Sequence, residues 1–245
     1  MRENLRCLRI PALPSHNSRS PMIPMISSPT RGLDPSLGGA RRPFRRLAAA
    51  PYVCAGLHAA ALLVMALVLR GGTEAEPQLV ARMAYVHAHA TAWRAGFAVW
   101  MLAGMSVVAF YAWWAGWLRS RKVAATALVV AIVGLACDLS GETLYSALLP
   151  QLSADPVRFD QIQRLGTVLT AVFANGFYTA AGIVLTLGTP GLPPRVRMLA
   201  WVVWIAGIVL SVAGAMGWAM GLVIASGVLF PALVLLALML PRALR

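Results

Sequence analysis

Acidic side chains are scarce in this chain. Eight Asp and Glu stand against 21 Lys and Arg among 245 residues, and four long stretches carry no charge at all. Those stretches are Leu47–Leu69, Ala95–Leu118, Leu165–Pro194 and Met198–Pro241. Their placement excludes a single soluble domain. About 20 apolar residues suffice to cross a bilayer as a helix, so each run is span-length or longer. The last is too long for one crossing and must turn back, with Gly214, Gly217 and Gly221 around Trp218 offering the place for a tight hairpin.

Cysteine is scarcer still. Cys7, Cys54 and Cys137 show no paired spacing, which argues against a disulfide framework and a thiolate metal site. Also missing are a phosphate loop, a nucleophile–base pair and a convincing metal set. An enzyme therefore ranks below a transporter-like protein and a scaffold, and no cofactor or metal is expected.

What is present is a set of apolar runs. They are continuous rather than alternating, which selects helices over a barrel. Together with Val123–Leu149 they predict an all-α, polytopic bundle of six spans, roughly 50–70, 94–118, 123–149, 164–188, 198–216 and 220–240. The predicted transmembrane domain is 47–245, embedded in a lipid bilayer, and its oligomeric state is not legible.

A net charge of +13 invites a nucleic-acid partner, but its distribution points to membrane topology instead. Sixteen of the 21 basic residues fall on one side of a six-span layout: nine arginines in 1–46, then Arg119, Arg121, Lys122, Arg195, Arg197, Arg242 and Arg245. Basic residues near span ends set orientation, so both termini are expected in the cytoplasm and the protein in the cell (inner) membrane. No nucleic-acid partner is expected.

Residues 1–46 are rich in Arg, Pro and Ser, and seven prolines from Pro11 to Pro43 break any helix. A disordered basic cytoplasmic tail is the expectation. Arg41-Arg42-Pro43-Phe44 before an apolar run has the look of a twin-arginine signal. The run is longer than a cleavable signal's core, so an orienting cluster is the better reading.

The most informative residues are Asp138 and Glu142, the only acidic residues in any predicted span. Carboxylates at bilayer depth are costly, face protein interior and often mark a site. At helical spacing Gly134, Asp138, Gly141, Glu142 and Tyr145 share one face. The fourth predicted span answers with Ala171, Asn175, Tyr178 and Gly182, and with Thr167 and Thr170 nearby. At about 1.5 Å of rise per residue, Asp138 and Asn175 both lie roughly 16 Å below the outer end of their helices. Asp138 is thus expected level with Asn175, and Glu142 level with Thr170. The candidate intramembrane site is Asp138, Glu142, Tyr145, Thr170, Asn175 and Tyr178.

Two ionised carboxylates one turn apart repel, so one is expected to be protonated or paired with a cation. The candidate counter-ions are Arg94, Arg164, His87 and His89. The functional reading is a site handling protons or a small solute. The structural alternative is a polar knot holding helices together.

Other features have plain explanations. His87 and His89 point to opposite sides on a helix and could share an ion only on an extended loop, so a solvated loop is preferred. His58, alone in its span, reads as a packed or hydrogen-bonded histidine. Trp93, Trp113, Trp114, Trp117, Trp201 and Trp204 sit near span ends and read as an aromatic belt. Gly207, Ser211, Gly214 and Gly217 form a small-residue face for close packing, and Pro231 should kink the last span. Phe97-Ala-Val-Trp100 and Trp201-Val-Val-Trp204 echo each other as an inverted repeat would.

The stretch Glu76–Leu118, with HAHATAWRAGFAVWMLAGMSVVAFYAWWA, resembles small bacterial multi-pass proteins filed as domains of unknown function. So does Ala174–Thr186, ANGFYTAAGIVLT. The resemblance covers about half the chain and implies no activity and no site residue.

Overall fold

A computed structural model describes residues 47–244. The basic tail expected over 1–46 lies outside the described residues. Among those described there are helices and turns and no strand.

Six helices are long and apolar enough to cross a membrane, and a short one joins the first two. They are α1 (Ala50–Gly72), α3 (Ala90–Ala115), α4 (Arg121–Gln151), α5 (Pro156–Leu187), α6 (Pro194–Ala215) and α7 (Ala219–Ala243), with α2 (Leu79–Ala88) between α1 and α3. The architecture is that of a multi-pass membrane protein. Each span packs against the next, and α7 returns to α1, so the six close into a ring with α3 also touching α5 across it. The end carrying residues 50 and 243 is called proximal here, and the opposite end distal.

Local chemistry sets the boundaries. Ser120 caps α4 by accepting from the Val123 amide (3.4 Å), and Asp155 caps α5 by accepting from the Arg158 amide (3.0 Å), with Pro156 next in line. The hairpin expected around Trp218 is present. α6 ends on Gly217 in the left-handed region (φ 63°), the Trp218 amide reaches back to Ala213 O (2.9 Å), and the Gly217 amide bonds Gly214 O (3.2 Å). That is a Schellman close, and glycine is the residue that takes this conformation without strain.

Regular α-helix gives way to wider π-helical turns at Met65–Leu69, Leu144–Leu148 and Val168–Ala174. The first two lie in the distal halves of α1 and α4, and the third at the middle of α5. Such turns leave backbone carbonyls seeking other donors and often accompany functional sites.

Two expectations need correction. The first distal connection contains the helix α2 and is not simply a loop. Arg82, Met83 and Val86 are its buried face, at the i, i+1, i+4 spacing of a helix lying on a surface. The aromatic belt also fails for four of its six residues. Trp93, Trp113, Trp114 and Trp204 are buried, and Trp117 and Trp201 alone are exposed. Three of the buried indoles have hydrogen-bond partners in the interior: Trp93 Nε1 donates to Tyr145 O (2.8 Å), Trp114 Nε1 to Thr189 Oγ1 (3.1 Å) and Trp204 Nε1 to Thr186 Oγ1 (2.9 Å), while Trp113 packs against Phe110 and Trp117. The small-residue face of α6 packs onto α5, with Gly207 beside Thr179 and Gly214 beside Ala171.

Candidate functional site

The stripe on α4 faces α5 along its whole length. Gly134 lies against Ala174 and Tyr178. Gly141 lies against Gly166 and Thr170, so closely that a Cβ there would sit 2.6 Å from Thr170 Cγ2. Small residues let the two backbones approach, and the larger polar members of the stripe then meet groups across the seam.

Asp138 is half-buried, and its Oδ2 accepts from the Tyr178 hydroxyl (3.1 Å). α3 supplies the floor of this contact through Gly104. A Cβ on Gly104 would lie 2.5 Å from Asp138 Oδ2 and 3.4 Å from the Tyr178 oxygen. Three spans therefore converge on one carboxyl group, and only a glycine leaves room for it. Tyr178 is tied further to α3, since its carbonyl accepts from the Tyr111 hydroxyl (3.0 Å).

Glu142, one turn toward the distal end, is 3 % exposed. Its Oε2 has no hydrogen-bond partner among the described residues, which for a buried carboxyl oxygen is costly. Among the described residues no salt bridge reaches Asp138 or Glu142.

Tyr145, the next member, begins a line of hydroxyls. Its OH and Thr167 Oγ1 are 2.6 Å apart, and Thr167 Oγ1 donates to Glu74 Oε1 (2.6 Å). The line therefore runs from the buried face of α4 to a carboxylate in the distal connection. Gln163 closes it from the side, accepting on its backbone carbonyl and donating from Nε2 to Gly72 O (3.1 Å).

The sequence-derived candidates separate on this geometry. Asp138, Glu142, Tyr145 and Tyr178 share the seam between α4 and α5, and Thr170 borders it through Gly141 while its hydroxyl donates to Gly166 O (3.0 Å). Asn175 does not join them. Its amide donates to Gly207 O and to Ser211 Oγ (2.9 Å) on α6. Depth arithmetic places Asn175 level with Asp138 but says nothing of rotation about the helix axis. α5 lies between α4 and α6, and Ala171, Asn175 and Gly182 fall on its α6 side.

The four suggested counter-ions are engaged elsewhere. Arg164 pairs with Asp160 (2.8 Å), and Arg94 Nε donates to Ser146 O (3.3 Å). The reason for the latter is local: Pro150 has no amide to offer the carbonyl four residues before it, so an arginine supplies the donor. His87 Nδ1 lies 3.1 Å from Ser153 Oγ, while His89 bonds Tyr85 O (3.0 Å) and stacks on the Tyr85 ring. His58 is buried with Nδ1 on Cys54 O (2.9 Å).

Sequence reasoning passed over Gly104, which looks like any small residue in an apolar helix, and gave Glu74 no part in the line that Tyr145 and Thr167 begin. Comparison of the chain with protein-family models, with curated proteins and with solved structures finds no match in any of the three.

Proposed function

We propose that this is a bacterial inner-membrane protein that handles protons or a small polar solute through the Asp138–Glu142 pair, reached from the distal face. One observation carries the reading: Glu142 is buried with an unpartnered carboxyl oxygen, one turn from a second carboxyl group, and no cation among the described residues pairs with either. Membrane interiors tolerate such groups where a proton, ion or substrate engages them. The hydroxyl line Tyr145–Thr167–Glu74 supports access from the distal end. Orientation follows from charge, because Arg119, Arg121, Lys122, Arg195, Arg197 and Arg242 all lie at the proximal end, which the positive-inside tendency assigns to the cytoplasm. The distal face is then external.

A second reading has its own support. The close approach of α3, α4 and α5 at Gly104 and Gly141, with the Tyr178–Asp138 bond across them, is how polar residues hold membrane helices together in a scaffold or regulatory subunit. Asp138→Asn and Glu142→Gln, made singly, separate the two. Variants that fold normally and lose proton- or solute-linked flux in proteoliposomes support handling. Variants that only lower thermal stability in detergent support the scaffold.

A further inference from the structure

A cleft of about 450 Å³ opens at the distal end, walled by the α1–α2 connection, α2, the start of α5 and the α6–α7 hairpin. Its size falls within the range of roughly 300–1,000 Å³ typical of small-molecule sites. Two of its lining side chains are deeply buried and incompletely satisfied. Gln163 is 1 % exposed; its Nε2 is used on Gly72 O, but its Oε1 has no partner. The Arg82 side chain is 11 % exposed, and its Nε has no partner. Its one ionic neighbour among the described residues, Asp160, lies 4.0 Å away and is already held by Arg164 at 2.8 Å. A guanidinium carries five donors, so most of the capacity of Arg82 is unspent. Glu74, half-buried on the same cleft, supplies a carboxylate anchored by Thr167.

Gln163 Oε1 and Arg82 Nε are themselves closed to water, so the capacity that opens on the cleft is of both kinds through their neighbours: donors on the terminal nitrogens of Arg82, and an acceptor on Glu74. The formal charges of Glu74, Asp160, Arg82 and Arg164 cancel. A simple anion would meet two carboxylates there, and a simple cation would meet two guanidiniums. Buried charges are favourable only when each finds its complement. On the far wall Met216 and Leu222 offer apolar surface beside Gly214 and Gly217.

We propose that this cleft binds a small zwitterion, an ammonium and an oxyanion a few ångströms apart, with the oxyanion on the terminal nitrogens of Arg82 and the ammonium on Glu74. A free α-amino acid with an apolar side chain and the ethanolamine-phosphate headgroup of a lipid both present that chemistry. The inference deepens the functional reading by naming the class of solute at the mouth of the same bundle, and rests on that reading only in calling it a solute.

The test is ligand-induced thermal stabilisation of the full chain in detergent. One arm adds each of the twenty amino acids, and the other adds phosphatidylethanolamine against phosphatidylglycerol. At least one zwitterion should raise the melting temperature, as any ligand selective for the folded state must. Stabilisation in the first arm assigns a soluble solute and in the second a lipid headgroup. For a responding amino acid, the methyl ester and the N-acetyl derivative, which each keep one charge, should bind at least about tenfold more weakly. Glu74→Gln and Arg82→Lys should each weaken binding by a similar factor. Glu74→Gln retains an acceptor for Thr167 and reads the ammonium arm alone should Arg82→Lys fail to fold. No response in either arm overturns the proposal, as does a response that Glu74→Gln leaves unchanged. Binding that persists in Asp138→Asn and Glu142→Gln, with flux unaffected by them, overturns the carboxyl-pair reading and leaves the cleft assignment standing.

Discussion

The two ends of the bundle solve the problem of buried polarity differently. In the proximal half, Trp114 and Trp204 donate to Thr189 and Thr186, and those threonines bond back to Leu185 O and Gly182 O of α5 (both 2.8 Å). Large rings fill the space between α3, α5 and α6, and the indoles of Trp114 and Trp204 both end on acceptors. In the distal half lie Glu142 Oε2, Gln163 Oε1, Arg82 Nε and Trp100 Nε1, all buried without a partner. The wide turns of α1 and α4 lie there too. A bundle whose only task was to hold together would have little reason to concentrate its unsatisfied groups at one end. On the proposed function, stability belongs to the proximal end and chemistry to the distal one.

The contrast can be broken by substitution. Trp204→Ala should have the largest effect, because its indole packs against Gly182 and caps Thr186. Loss of a buried tryptophan costs about 3–5 kcal/mol, and detergent unfolding should show it. Gly104→Ala should cost about 1–3 kcal/mol, since the new methyl displaces Asp138 and Tyr178. Unlike Trp204→Ala it should also impair flux in protein that remains folded. Asn175→Ala removes two bonds between α5 and α6 that have no part in the carboxyl seam. It should cost about 0.6–1.7 kcal/mol with flux unchanged. Equal damage to flux from Asn175→Ala and Gly104→Ala would erase the distinction between seam and scaffold. Glu142→Gln should change stability least, by under about 1 kcal/mol, because no hydrogen bond to its Oε2 is lost. It should nevertheless abolish flux.

Much of the fold could be read from the residues. The six spans follow from where charge is missing, and the hairpin at Gly217 follows from three glycines in a run too long for one crossing. The polar stripe from Gly134 to Tyr145 was legible because α4 keeps helical phase as far as Thr143. Legibility stopped where a choice of neighbour was needed. Asn175 could have turned to α4 or α6, and what decides it is a free carbonyl at Gly207 and a hydroxyl at Ser211, on a helix more than thirty residues away. Arg94 went to a carbonyl left without a donor by Pro150, not to a carboxylate. The tryptophans near span ends were buried because Thr186, Thr189 and the Tyr145 carbonyl offered acceptors inside, which position along the chain does not reveal. Arg82 was hidden in a connection too short and too polar to read as a span.

The most direct test of the central claim is infrared difference spectroscopy of the reconstituted protein as pH is stepped on the distal side. A protonated-carboxyl band should respond reversibly to the step, disappear in Glu142→Gln and shift in Asp138→Asn. A carboxyl signal that stays fixed across the pH range in which the protein remains folded would show a locked structural pair, and would contradict the assignment of chemistry to the distal half.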